Sequence, residues 1–278
     1  MKRALLPLAF LLLGGLAVLA AFAVARAGFY NVPVLARAVP FRTALMRQRE
    51  AEARREGRPY RVHQIWVPYH RISPLLRRAV LIAEDDAFYQ HGGLDWDELA
   101  ASARRDLEEH RIVRGGSTIT QQLAKNVFLG DRRTLARKLT EVFLALRLER
   151  ALSKRRIFEL YLNLIEWGDG VYGAEAAARR DFGVPAAALS PRQAVLLAAV
   201  VINPHRYRVD DPPRRIERRV RMIAARMLRR GYLDAAQYTE AVGTRPAGPP
   251  GTGRESPPAT PVAPSGSTQG GPRSPGPP

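Results

Sequence analysis

The chain has 278 residues, 46% of them apolar, enough for a proper core in one large domain or two small ones. A formal net charge of +18 points to a polyanionic partner: nucleic acid, an anionic membrane surface or a phosphorylated substrate. With no cysteine, disulfides and thiolate metal sites are excluded.

The N-terminus opens with Lys2 and Arg3 and then runs uncharged from Ala4 to Ala25. As a helix this run spans about 33 Å, enough to cross a hydrocarbon core of about 30 Å. A cleaved signal peptide is the alternative, because Ala25-Arg26-Ala27 resembles a cleavage site, but its apolar core should be about 7–15 residues. Residues 1–28 are therefore expected to be a short cytoplasmic stub and a transmembrane anchor. The bulk of the chain would lie outside the cytoplasmic membrane, which argues against a nucleic-acid partner. Residues 29–61 follow as a strongly basic, partly helical connector beside the membrane surface, with a plain solvated helix as the other reading.

Residues 62–243 read as mainly α. "SPLLRRAVLIAED" starts on a Ser73-Pro74 cap, and Leu135, Leu139, Val142 and Leu146 recur at helical spacing. "SKRRIFELYLNLIEW" puts Ile157, Leu160, Tyr161 and Leu164 on one face, and "SPRQAVLLAAVVINP" is a further capped apolar helix. The segment from Pro213 reads as helices broken near Gly231. Residues 244–278 are rich in proline, glycine and serine, and are expected to be a disordered tail.

Three segments carry chemistry. In "RGGSTITQQLAKN", residues 114–126, two glycines precede Ser117 and Thr118, and Thr118 and Gln121 have capping-box spacing. Such a helix start offers free N–H groups to an anion, with Lys125, Gln121 and Gln122 adding donors. A capped helix without a ligand is the plainer alternative. Upstream, Glu84 follows the apolar "AVLIA", where desolvation raises proton affinity as an acid or base requires, with a surface acidic cluster in which Asp85 and Asp86 cap a turn as the plainer alternative. Downstream, Arg137 and Lys138 precede Glu141 by four and three residues, the spacing of a helical ion pair. Only four lysines occur among 44 basic residues, and Lys125, Lys138 and Lys154 are three of them, which suggests places that want a compact ammonium. Two carboxylates flanking an anion cradle fit glycosyl chemistry with a phosphate leaving group.

Five motifs in order now carry a resemblance: "EDDAFYQHGGLDW" from Glu84, "RGGSTITQQLAKNVFL" from Arg114, "RKLTE" from Arg137, "SKRRIFELYLN" from Ser153 and "IEWGDGVYGAEAAA" from Ile165. The chain resembles the monofunctional biosynthetic peptidoglycan glycosyltransferases, which are related to the glycosyltransferase domain of class A penicillin-binding proteins. The resemblance covers roughly Val62 to Leu228. Phe158, Ile202 and Asp181 depart from residues common in that family.

The resemblance implies a lysozyme-like, two-lobed helical catalytic domain behind one N-terminal transmembrane helix. It implies polymerisation of lipid II into β-1,4-linked glycan with release of polyprenyl diphosphate. Glu84 matches the general base and Glu141 the second glutamate. Ser117, Gln121, Gln122, Lys125, Arg133 and Arg137 match the substrate-binding positions. No cofactor is required, with a divalent cation such as Mg at Glu141 as an option. The implied partners are lipid II, the nascent glycan chain, the cytoplasmic (inner) membrane and other cell-wall synthases, with the catalytic domain on the periplasmic side. No Ser-x-x-Lys is present, so peptide cross-linking is not expected. A lytic transglycosylase or lysozyme-like hydrolase, and a catalytically silent lipid II-binding scaffold, are the alternatives.

Overall fold

The computed structural model describes residues 2–40, 42–108, 116–132 and 134–243, with the side chains of residues 2–12, 103 and 105–108 outside that description. Arg133 and the tail after Gly243 therefore lie outside the described residues. In chain order the elements are α1 (Lys2–Gly28), α2 (Ala44–Arg55), β1 (His63–Gln64), α3 (Pro74–Glu84), α4 (Trp96–Glu108) and α5 (Ile119–Ala124). Then come a π turn (Lys125–Leu129), α6 (Leu135–Ala151), α7 (Lys154–Leu164), β2 (Glu166–Gly168) and β3 (Val171–Tyr172). The chain closes with α8 (Ala174–Phe182), α9 (Pro191–Val200), α10 (Arg214–Arg229) and α11 (Ala235–Val242). The architecture is mainly helical, as the apolar spacing predicts. Among the described residues no helix is long and apolar enough to cross a membrane.

The core forms around α7 and α9. In α9 every residue from Ala194 to Val200 is buried, the signature of a helix enclosed on all sides. Ser190 starts it with a capping box shared with Gln193, and Pro191 occupies the first turn, where its missing N–H costs nothing. Helices α3, α10 and α11 pack around α9. Along α10, Ile216, Val220, Ile223, Ala224 and Met227 form the buried stripe, and arginines crowd the opposite face. Gly231 breaks the chain there with φ 69°, as the sequence suggests.

Two expectations change. The apolar stripe Leu135, Leu139, Val142 and Leu146 is not the buried face of α6: Leu135 is exposed and the other three are only partly covered. The buried face is Arg137, Thr140, Glu141, Leu144, Ala145 and Leu148, so the first two turns point polar groups inward. Hydrophobicity alone would not choose that rotation, and such exceptions mark functional or strained sites. The helix from Ser153 also stops at Leu164, where "EWG" becomes a strand. The strands form a small sheet ordered β1-β3-β2, β1 parallel to β3 and β2 antiparallel to it. At the next turn Gly173 adopts φ 88°, and a Cβ there would stand 2.9 Å from the Asn163 carbonyl oxygen.

The basic segment 29–61 is partly helical and packs on the helical body. Thr43 caps α2, whose Leu45, Met46 and Ala53 are buried, and α2 packs on the π turn. Its Gln48 Oε1 accepts the Asp131 N–H at 2.6 Å, and Arg49 reaches Glu166 at 3.2 Å and Asp131 at 3.7 Å. Helix α1 packs along α6, where the Arg147 guanidinium donates to the Ala27 carbonyl.

Candidate active site

Helix α3 delivers Glu84. Its Ser73 cap accepts the Leu75 N–H at 3.2 Å, and Leu76, Ala79, Val80, Leu81 and Ile82 bury one side. Glu84 is the last helical residue, with its side chain 12% exposed. One oxygen, Oε2, accepts from Gln122 Nε2 at 3.1 Å; the other, Oε1, accepts from the Arg219 guanidinium of α10 at 2.7 Å. Tyr161 OH donates to Gln122 Oε1 at 3.0 Å, which fixes the amide with its NH2 toward Glu84. Burial pushes the Glu84 carboxyl above the usual carboxylate range, opposed by Arg219, Gln122 and Lys125. Burial, and secondarily the Glu84 charge, pushes the Tyr161 phenol well up, so Tyr161 stays a donor.

At the start of α5 three backbone N–H groups already have internal partners. Asp85 Oδ2 accepts the Ile119 N–H at 2.9 Å, Thr118 Oγ1 accepts that of Gln121 at 3.2 Å, and Gln121 Oε1 accepts that of Thr118 at 3.1 Å. An internal carboxylate and a capping box thus occupy the N–H groups of Thr118, Ile119 and Gln121. Gln121 is thus spent on the cap, whereas Gln122 faces Glu84. His91 completes this knot: its Nδ1 accepts from the Gly93 N–H at 3.2 Å, so Nε2 carries the hydrogen toward Asp85 at 3.0 Å. Thr118 Oγ1 donates to the Gly93 carbonyl at 2.7 Å, which binds the segment after Glu84 to the segment before Gln122. Burial pushes the Asp85 carboxyl up against the pull of His91.

The cations sit beyond that cap. Lys125 opens the π turn, a local winding often found at functional positions, with its side chain 32% exposed and 3.5 Å from Asp131. Lys138 Nζ lies 3.0 Å from Ser117 Oγ and 2.5 Å from Glu141 Oε1. Glu141 is buried, while Lys138 is nearly half exposed. Arg137 turns the other way: it is buried, donates to the Gly130 carbonyl at 2.7 Å, and has no partner for Nε among the described residues. Arg137 is thus engaged with the loop before α6, and Lys138 is the cation that faces Ser117 and Glu141. Lys154 is structural, paired with Glu149 at 2.8 Å over the Phe88 ring. Among the described residues Glu141 belongs to no group of three or more acidic or histidine side chains, and Lys138 pairs with its Oε1.

Of the residues singled out from sequence, the structure brings Glu84 together with Gln122, and Ser117 together with Glu141 through Lys138. Sequence reasoning missed Arg219, Tyr161 and Lys138 as members of the site. Lys138 carried a signal, as a rare lysine three residues before a glutamate. Tyr161 looked like one more apolar-stripe residue, and Arg219 is one arginine among many in α10.

The family model described as Transglycosylase matches residues 50–228. Similar curated proteins share the printed name "Biosynthetic peptidoglycan transglycosylase". That of Laribacter hongkongensis is 47% identical over 188 residues, covering 68% of this chain and 82% of its own. That of Chromobacterium violaceum is 43% identical over 204 residues, covering 71% and 90%. That of Alcanivorax borkumensis is 50% identical over 166 residues, covering 60% and 68%. With a carboxylate held between donors, lysines beyond it and a family match over most of the helical body, the chain belongs to the transglycosylase family.

Proposed function

We propose that this chain polymerises lipid II into β-1,4-linked glycan strands at the outer face of the bacterial cytoplasmic membrane. The observation that carries the reading is Glu84: a largely buried carboxylate whose two oxygens are fixed by different helices. Glu84 takes the proton from the acceptor sugar hydroxyl as that oxygen attacks the anomeric carbon of the growing chain. The bond from that carbon to the diphosphate oxygen breaks, the electron pair leaves with polyprenyl diphosphate, and the anomeric centre inverts. Developing charge on the leaving group calls for preorganised donors and cations. Lys125 and Lys138 supply them, with Arg133 as a further cation on the strength of the resemblance. Glu141 holds Lys138 in place, and Ser117 hydrogen-bonds it from the other side.

In this reading α1 anchors the chain in the bilayer, and the helical body is a two-lobed, lysozyme-like domain that meets lipid-linked substrate there. The uncharged run from Ala4 to Ala25 and the basic segment after it support the anchor. Partner synthases belong to the same proposal.

The test compares the full chain in detergent with its Glu84→Gln variant on fluorescent lipid II. Products are resolved by gel with and without muramidase, and with and without a chelator. Muramidase-sensitive polymer from wild type alone is expected. Folded wild-type protein that binds lipid II and makes no polymer would leave a scaffold. Cleavage of preformed glycan would make it a lytic enzyme.

A further inference from the structure

We infer that Arg219 is a positioning residue for the reaction: it holds Glu84 as an oriented carboxylate and fixes that carboxylate to the end of α3. This rests on Glu84 being the base. A single guanidinium nitrogen donates both to Glu84 Oε1 at 2.7 Å and to the Ala83 carbonyl at 2.8 Å. The same group therefore engages the base and an end carbonyl of the helix that carries it, where a cation suits the helix dipole. The contact spans 135 residues of sequence, so α10 sets the height and rotation of a side chain delivered by α3.

Ordinary packing does not account for an arginine here. Arg219 sits beside the apolar stripe of α10, its side chain is 19% exposed, and its Nε is buried without a partner among the described residues. A buried donor left unpaired is costly, as expected where a group is kept for a task and not for stability. Across the carboxylate, Gln122 holds the second oxygen and is itself fixed by Tyr161. Gln122 is neutral and Tyr161 remains protonated, so neither supplies a formal charge. Arg219 is the only cation hydrogen-bonded to Glu84 among the described residues.

The groups facing Glu84 are Arg219 from α10, Lys125 from the π turn, Gln122 from α5, Tyr161 from α7 and the adjoining Asp85 with its partner His91. Burial favours the protonated acid, and Arg219 opposes it more than any other neighbour. Since the base works only when ionised, polymerisation fails as pH falls through the Glu84 value. Without Arg219 that value rises, so the acid limb of the rate profile moves to higher pH.

The experiment measures pH–rate profiles for wild type, Arg219→Gln and Arg219→Lys as full chains in detergent on fluorescent lipid II. In parallel, the Glu84 carboxylate band is titrated by difference infrared against Glu84→Gln. Arg219→Gln is expected to shift the acid limb and the infrared midpoint upward together. At neutral pH its kcat should fall about 10–100-fold with little change in KM, part of the roughly 10²–10⁴-fold that a positioned base supplies. Arg219→Lys should restore most of the limb position and only part of kcat, because an ammonium keeps the charge but not the planar fork. An unmoved limb and infrared midpoint in Arg219→Gln, with a lowered melting temperature, would reduce Arg219 to a tie between α3 and α10. The infrared arm needs no turnover, so it judges Arg219 even if wild type makes no polymer, an outcome that would instead sink the proposed activity.

Discussion

The two sides of the site are built on opposite principles. Around Glu84 every contact is short, largely buried and supplied by a different helix, with Gln122, Tyr161 and Arg219 leaving the carboxylate little freedom. Around Ser117 and Lys138 the ammonium is nearly half exposed and hangs on one buried glutamate and one exposed hydroxyl. Lys125 is similar, about one-third exposed and 3.5 Å from Asp131. The difference suits two tasks. A base must be desolvated and fixed before reaction, whereas cations proposed to receive a diphosphate must stay open to it, as the half-exposed Lys138 and the one-third-exposed Lys125 are.

The contrast can be broken from either side. The largest effect is expected from Glu84→Gln, which keeps shape and removes the base: polymerisation should drop about 10²–10⁴-fold with melting temperature held within a few degrees. Wild-type turnover in that variant would remove Glu84 from the chemistry. Next comes Lys125→Ala, expected to lower kcat about 10²-fold by losing one charge-stabilising donor, while Arg229→Ala on the exposed face of α10 stays near wild type. Equal losses from both would contradict a specific cation site.

A third comparison separates neighbours on α6. Lys138→Ala should reduce turnover, and it also costs stability because the buried Glu141 carboxylate loses its ammonium, a cost that adding Glu141→Gln should relieve without restoring turnover. Arg137→Ala strands the buried Gly130 carbonyl and should cost about 1–3 kcal/mol, read by denaturant unfolding. If turnover dropped in Arg137→Ala and not in Lys138→Ala, the assignment of Lys138 over Arg137 would fall.

The smallest effect concerns His205, far in sequence from either side. Its hydrogen bond to Glu166 at 2.8 Å raises the imidazole above its usual value. A raised folded value means the stabilisation is fully present below the ordinary histidine range and lost as pH rises through the raised one. The melting-temperature gap between wild type and His205→Gln should therefore be widest at acid pH and close at alkaline pH. The gap should be modest, because His205 is about one-third exposed.

Much of this was legible in the sequence, for reasons that also explain what was not. Capped apolar helices announce themselves, so α3, α7 and α9 follow from Ser-Pro starts and 3.6-residue spacing. Glu84 stood out because a carboxylate ending an apolar helix has an unusual environment in any fold. Periodicity failed on α6, where leucines suggested one face and burial selected the face bearing Arg137 and Glu141. The glycine-rich stretch at residues 114–126 reads as an anion cradle because sequence does not show that Asp85, 34 residues upstream of Ile119, accepts one of its N–H groups. Arg219 had no local signature, since its partner lies 135 residues away and nearby arginines are abundant.

The turn after Lys125 gives the basic segment near the N-terminus a different importance. Gly130 adopts φ 73°, and a Cβ on it would stand 2.3 Å from Gln48 Oε1 of α2. The same amide oxygen accepts the Asp131 N–H, while Arg49 reaches across to Glu166. Helix α2 is thus a buttress fitted against the loop that aims Lys125. A chain shortened to begin after residue 61 would lose more than a tether. It would retain Glu84 and both lysines, yet the turn carrying Lys125 would be open to water on the side that α2 now fills.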